Sequence, residues 1–286
     1  MVLARRFGPA LALALLQCAR AESRTTPVAS VANAAPIAAE TPRNAEPAPQ
    51  AAAESPTRRA RLESEPVIAL DVPGFRPATV VVPVGTDRPR PVAVALHGNF
   101  DRPEWQCGVW QSIVENGGFV LCPRGVPRRD APAAWDRWEY SSAKAMKNEI
   151  EAAVAALRGR FGEFVAEGPL VFIGFSLGAI YGASLVQADP ATYARVVFIE
   201  GGVSAWTPYS AKKFAQAGGQ RLILACGQAD CLARVRRLGP ALERAGLPTR
   251  VGGSAKAGHS YDGEVANVVR ENWDWFIEGD GRWLSE

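Results

Sequence analysis

The sequence predicts an α/β fold with a mainly parallel central sheet, and three observations carry the prediction. Short apolar runs without polar alternation recur along the chain, as strands covered on both faces require. Helical periods sit between those runs. Two runs joined by turn chemistry come first, before the alternation of strand and helix begins.

In order, Val67 to Val72 and Thr79 to Val84 read as a leading antiparallel hairpin, with Pro73-Gly74 as turn residues between them. The continuous apolar runs follow at 92–96 (VAVAL), 119–122 (FVLC), 170–173 (LVFI), 195–199 (RVVFI) and 221–225 (RLILA). Met146, Ile150, Val154 and Leu157 are spaced by four, four and three, which makes one buried helical stripe. Val265, Val268, Val269, Trp273, Phe276 and Ile277 make another, with Asp262 as its N-cap. Ligands in such sheets bind at the carboxyl ends of the strands, so the strand-to-helix turns are where chemistry is to be sought.

Composition narrows the function classes. Of 286 residues, 48% are apolar and 21% charged, which fits a globular chain and excludes wholesale disorder. No apolar run approaches the roughly 20 residues of a membrane-spanning helix. Only two histidines occur, His97 and His259, so a multi-histidine metal centre is not expected, and no metal or organic cofactor is called for.

Residues 1–21 read as an export signal. Arg5 and Arg6 form a basic start, residues 10–16 (ALALALL) a short apolar core, and Ala19-Arg20-Ala21 a small-residue cleavage site. Cleavage there lowers the basic count from 32 to 29 against 29 acidic residues, so the formal charge of +3 becomes zero and points to neither nucleic acid nor a membrane surface. Cys18 raises lipid anchoring as an alternative, against which Gln17 is a poor fit to the small residue such a site prefers. Residues 22–63 are rich in Ala, Pro and small polar residues and lack aromatics, so they are assigned as a disordered linker. The folded domain is placed at 64–286. Without Cys18, four cysteines remain, an even number that suits disulfides in an exported protein and allows three pairings.

The sharpest turn is Gly174-Phe175-Ser176-Leu177-Gly178, between an apolar strand and a helix-like run. A serine on a strained strand-to-helix elbow needs small neighbours, and the elbow lifts its hydroxyl off the sheet edge at a helix N-terminus that favours a developing oxyanion. Such a hydroxyl needs a base, and the base needs an orienting carboxylate. His259, in a small-residue loop before the last helix, is the only histidine downstream. Asp230, directly after the strand at 221–225, is the acid expected, with Glu200, after the preceding strand, as the fallback. At Leu96-His97-Gly98-Asn99 the backbone is the functional part: the amides of Asn99 and Leu177 are expected to form an oxyanion hole, while His97 reads as structural.

With HGN at 97–99, GFSLG at 174–178, GQAD at 227–230 and GHS at 258–260, the chain resembles the α/β-hydrolase superfamily. Gly174 to Ala179 is similar to small esterases of the dienelactone-hydrolase, carboxylesterase and polyester-depolymerase-like types. The resemblance implies Ser176 as nucleophile, His259 as base and then acid, Asp230 as orienting acid, and helices on both faces of the sheet. Lids in this superfamily are commonly inserted after the sixth strand, where only residues 201–220 are available here, so an open site without a large lid is expected.

Trp105, Trp110, Trp135, Trp138 and Trp206 follow strand ends, where each can be either site wall or core. With the elements placed, Cys107 and Cys122 fall at one sheet edge and Cys226 and Cys231 bracket Asp230, so the expected disulfides are 107–122 and 226–231. The expectation as a whole is an exported serine esterase acting on small-molecule or polymer-end esters through an acyl-enzyme. The alternatives are a thioesterase or peptidase with the same triad, or a silent hydrolase-fold binding protein.

Overall fold

The computed structural model describes residues 60–283. The expected export signal, Cys18 and most of the expected linker lie outside the described residues. The linker's expected end is shifted: Leu62 is buried, donates its N–H to Thr86 O at 2.7 Å and accepts from Gly85 N at 2.8 Å. The folded unit therefore includes Leu62, within the stretch 22–63 assigned to the linker.

Eight strands form one mixed sheet. β1 (Val67–Leu70) and β2 (Ala78–Val81) are the leading antiparallel pair, with Val67 opposite Val81. β3 (Val92–Leu96), β4 (Phe119–Cys122), β5 (Val171–Phe175), β6 (Arg195–Ile199), β7 (Arg221–Cys226) and β8 (Thr249–Gly253) follow. The spatial order is β1-β2-β4-β3-β5-β6-β7-β8, and from β4 onward every neighbouring pair is parallel. A short antiparallel pair, Val126–Pro127 with Trp138–Glu139, stands apart.

Period-two alternation along apolar strands feeds two cores. Val94, Leu96, Phe172 and Phe198 face a layer that includes helices α2 (Ala143–Phe161), α3 (Leu177–Ala188), α4 (Pro208–Gln216) and α5 (Ala229–Arg244). Ala93, Ala95, Ile173 and Val197 face α1 (Pro103–Val114), α6 (Gly263–Glu271) and α7 (Trp273–Ile277). Met146, Ile150 and Leu157 of the expected α2 stripe are buried, with Ala153 taking the deep position beside half-buried Val154. The C-terminal stripe is broken rather than continuous. Asn272 separates α6 from α7 and its amide donates back to Val268 O at 2.8 Å. Asp262 does hold the N-cap position of α6, but its carboxylate takes the Ser260 hydroxyl instead of a helix amide.

Between β6 and β7, residues 200–220 form a short 3₁₀ turn and α4. Trp206, Ala211 and Phe214 of this segment are buried in the core, which fixes it against the domain. Both expected cysteine pairs are joined, Cys107 to Cys122 and Cys226 to Cys231.

Candidate active site

The serine elbow follows directly from backbone crowding. β5 ends at Phe175, and Ser176 takes φ +48° and ψ −112°, outside the regions L-residues favour. A side chain at Gly178 would place its Cβ 2.5 Å from Leu96 O and 2.8 Å from His97 O, and one at Gly174 would lie 2.8 Å from the Ala179 backbone. Only glycine at both positions lets α3 start this close to β3 and β5. Ser176 N–H donates to Ile199 O at 2.9 Å and Gly178 N–H to His97 O at 3.2 Å, which ties the turn to β6 and to the loop after β3.

His259 reaches the serine from the loop before α6: its Nε2 lies 2.8 Å from Ser176 Oγ. On the other side of the ring, Nδ1 lies 3.4 Å from Glu200 Oε2. The imidazole is 45% exposed, while the Glu200 side chain is only 2% exposed. Glu200 Oε1 accepts the backbone N–H groups of Gly227 and, at 2.7 Å, Gln228. A carboxylate buried to that degree needs such donors, and the free amides of the turn after β7 supply them.

The carboxylate facing the histidine is thus Glu200 and not Asp230, the residue expected there. The chain after β7 enters α5 at Ala229, so Asp230 is carried in the first turn of that helix and is exposed. It borders a cavity of about 340 Å³ together with Ile180, Gly201, Ser204, Gln228 and Arg234. Glu200 itself sits one strand nearer the serine, with φ +52°, and its N–H donates to Ala225 O at 3.1 Å. The signal in the sequence was Glu200-Gly201-Gly202 at a strand end. A side chain at Gly201 would meet Ser176 O at 2.5 Å, so this backbone has to pass against Ser176.

The loop after β3 lies beside the elbow, since a Cβ at Gly98 would be 3.2 Å from Ser176 Cβ. His97 is fully buried and stacked on Tyr140 at 4.6 Å, with Nδ1 2.7 Å from Gly98 O and Nε2 2.8 Å from Arg124 O. Burial pulls its pKa below the usual imidazole value, and these contacts fit the structural reading of this residue. Asn99 is exposed at the tip of the loop, and Leu177 opens α3, where the N–H has no intrahelical acceptor.

One link was invisible in the sequence. Buried Asp101 accepts Gly98 N–H at 3.3 Å, Arg102 N–H at 2.8 Å and the Tyr261 hydroxyl at 3.2 Å. Tyr261, two residues past His259, also packs edge-on against Phe175 at 4.7 Å. Burial and the Asp101 carboxylate push the Tyr261 hydroxyl well above the ordinary tyrosine range, so it stays a donor. The histidine loop and the loop carrying Asn99 are joined through that contact.

Of the five tryptophans, Trp110, Trp138 and Trp206 are core residues. Trp105 and Trp135 are 45% and 54% exposed and gather with Phe100 and Arg137. The Arg137 guanidinium lies 4.6 Å from the Trp105 ring centre, and Phe100 meets Trp135 edge-on at 5.9 Å.

No protein-family model matches the chain, and no curated protein does. Solved structures do. A Thermus thermophilus protein is similar with a TM-score of 0.51 at 19% identity, over 74% of this chain and 98% of that one. An S-formylglutathione hydrolase from Agrobacterium tumefaciens gives 0.50 at 15%, over 77% and 98%. A ferulic acid esterase gives 0.50 at 14%, over 70% and 90%. The chain has the α/β-hydrolase fold.

Proposed function

We propose that the protein is a serine hydrolase that cleaves carboxylic esters through a covalent acyl-enzyme. The observation that carries this reading is the line Ser176 Oγ, His259 Nε2, His259 Nδ1, Glu200 Oε2, with steps of 2.8 Å and 3.4 Å across the ring. Ser176 attacks the ester carbonyl as His259 takes its proton. Glu200, held by two backbone amides, fixes the tautomer that leaves Nε2 free to accept and stabilises the imidazolium that results. The amides of Leu177 and Asn99 receive the oxyanion, Leu177 with the favourable end of α3 behind it. His259 then protonates the leaving alcohol, and water attacks the acyl-enzyme by the same route in reverse.

Exposed Phe100, next in sequence to Asn99 and gathered with Trp105 and Trp135, and the cavity that Glu200 borders with Ile180 and Arg234 are the two surfaces offered to a substrate arriving from solvent. Such a setting suits small-molecule or polymer-end esters. Residues 1–21 serve as export signal and 22–61 as tether to the catalytic domain; two disulfides suit an oxidising compartment.

The test is hydrolysis of nitrophenyl esters of increasing acyl length, with Ser176→Ala alongside and fluorophosphonate labelling as the second readout. Activity and labelling that both vanish in the variant support the acyl-enzyme. A folded, oxidised wild type that neither turns over nor labels removes it and favours a silent binding protein.

A further inference from the structure

Glu200 has a second set of neighbours. One of its carboxylate oxygens and the sulfurs of Cys226 and Cys231 all lie within 4.8 Å of one another. Cys226 closes β7 and is buried; Cys231 is the third residue of α5 and half-buried. With the sulfurs bonded, the disulfide closes a short loop that contains Gly227 and Gln228, the two residues whose amides hold Glu200.

We propose that reduction of Cys226–Cys231 turns this corner into a binding site for a thiophilic divalent cation, zinc in particular. Cys226, Cys231 and Glu200 are its ligands, and its occupancy silences the enzyme by drawing Glu200 away from His259. The silencing rests on the reading of Glu200 as the orienting carboxylate; the metal site does not. An external thiol or phosphine reductant gives two electrons to the disulfide: the S–S bond breaks, two protons are taken up, and the reductant is oxidised. Zinc then displaces both thiol protons and forms two Zn–S bonds and one Zn–O bond, with water as fourth ligand.

The geometry suits that ion. Zn–S bonds of about 2.3 Å and Zn–O bonds of about 2.1 Å place tetrahedral ligand atoms roughly 3.5–3.8 Å apart, so after reduction the two sulfurs move apart while the carboxylate oxygen, within 4.8 Å of them, closes by up to about 1 Å. Two thiolates select zinc over magnesium or calcium. Cys231 sits in the first turn of the 16-residue α5, where the helix N-terminus favours its thiolate. The other disulfide is shielded, with Cys107 and Cys122 at 1% and 0% exposure, so a reductant reaches the half-buried Cys231 first.

The experiment uses the full chain, treated with a phosphine reductant and desalted without oxygen. Alkylation and peptide mass mapping establish that Cys226 and Cys231 are the pair opened. Cobalt and then zinc chloride are added, with metal content, the cobalt–thiolate charge-transfer absorption and nitrophenyl ester hydrolysis as readouts. The expected result is one ion per reduced chain, none per oxidised chain, a cobalt–thiolate band, and at least a hundredfold loss of activity that chelation and reoxidation reverse. Cys226→Ser with Cys231→Ser is expected to bind no zinc; should that variant not fold, the alkylated wild type replaces it.

A reduced chain without a cobalt–thiolate band overturns the site, as does equal zinc uptake by the variant or by the alkylated chain. Zinc bound by both thiolates with activity retained overturns the silencing. An oxidised protein without any esterase activity removes the proposed function instead, while the cobalt band still decides the metal site.

Discussion

Replacing Glu200 by Gln changes one atom type and isolates what the carboxylate does. Gln keeps a carbonyl oxygen that can still accept from Gly227 and Gln228, so the turn after β7 retains both hydrogen bonds and the fold should survive. Its NH₂ then faces His259 Nδ1 across the present 3.4 Å gap. Nδ1 must become the acceptor, the proton moves to Nε2, and Nε2 can no longer take the Ser176 proton. The imidazolium also loses its counter-charge. The corresponding Asp-to-Asn change at a buried serine-protease triad costs about ten-thousand-fold in kcat. Here the imidazole is 45% exposed, so water screens part of the lost charge, and we expect a smaller fall. A drop of about a hundred- to a thousandfold in kcat corresponds to about 2.7–4 kcal/mol of transition-state stabilisation. Asp230→Asn, altering a carboxylate on the solvent side of α5, should stay within about threefold. Steady-state hydrolysis of nitrophenyl acetate is the assay, with thermal melts to confirm folding. A Glu200→Gln protein keeping more than a third of wild-type activity, with Asp230→Asn collapsing instead, would falsify the assignment.

Tyr261→Phe removes the hydroxyl that joins the histidine loop to Asp101; kcat should fall roughly three- to tenfold with KM little changed, and stability by about 1 kcal/mol. Equal falls in kcat/KM through KM alone would count against this link. Gly178→Ala drives a methyl group into Leu96 O and His97 O, so thermal denaturation should show a loss of about 2–3 kcal/mol and ester hydrolysis should disappear; a fully active variant refutes the crowding argument. Glu149, buried under the loop after β4, accepts the amides of Arg124 and Gly125 at 2.9 Å and 2.8 Å, and burial raises its pKa above the glutamate value of 4.5. The folded state therefore holds this proton more tightly than the unfolded one, so the penalty is absent below the unfolded value and grows as pH rises through the folded one. Glu149→Gln keeps an acceptor for both amides, and its melting temperature relative to wild type should climb from about pH 4.5 upward; a difference that is flat with pH refutes the sign.

The sequence made the inner strands legible because burial on both faces leaves one reading for runs such as VAVAL at 92–96 and RVVFI at 195–199. The edge strand β8 escaped. Among the described residues Thr249-Arg250-Val251-Gly252-Gly253 pairs only with β7, and its glycines answer to tertiary contacts: a Cβ at Gly252 would lie 2.7 Å from Val268 of α6, and Gly253 has φ +141°. The serine and the histidine were legible because each had one reading, an elbow and a single downstream imidazole. The carboxylate that faces His259 had two candidates, Glu200 and Asp230, both at strand ends. What separates them is where α5 begins and where the amides of Gly227 and Gln228 point, and neither follows from residue spacing. Tryptophans 105 and 135 could not be told from 110, 138 and 206 for a similar reason: position after a strand end does not fix which way an indole turns.

Backbone strain marks the same corner independently of any motif. Five described non-glycine residues have positive φ, and three of them, Phe100, Ser176 and Glu200, follow the carboxyl ends of the neighbouring strands β3, β5 and β6, respectively. Each such conformation costs on the order of 1–3 kcal/mol where it is sparsely populated, and it persists only where its surroundings hold it. The holding contacts form a chain across the sheet edge: Gly178 N to His97 O, Ser176 N to Ile199 O, Glu200 N to Ala225 O, and Gly258 N to Gly227 O. Each turn is thereby bonded to its neighbour rather than to solvent. Serine, glutamate and histidine are thus set by one shared framework, and the backbone that strains Ser176 is the backbone that aims Glu200.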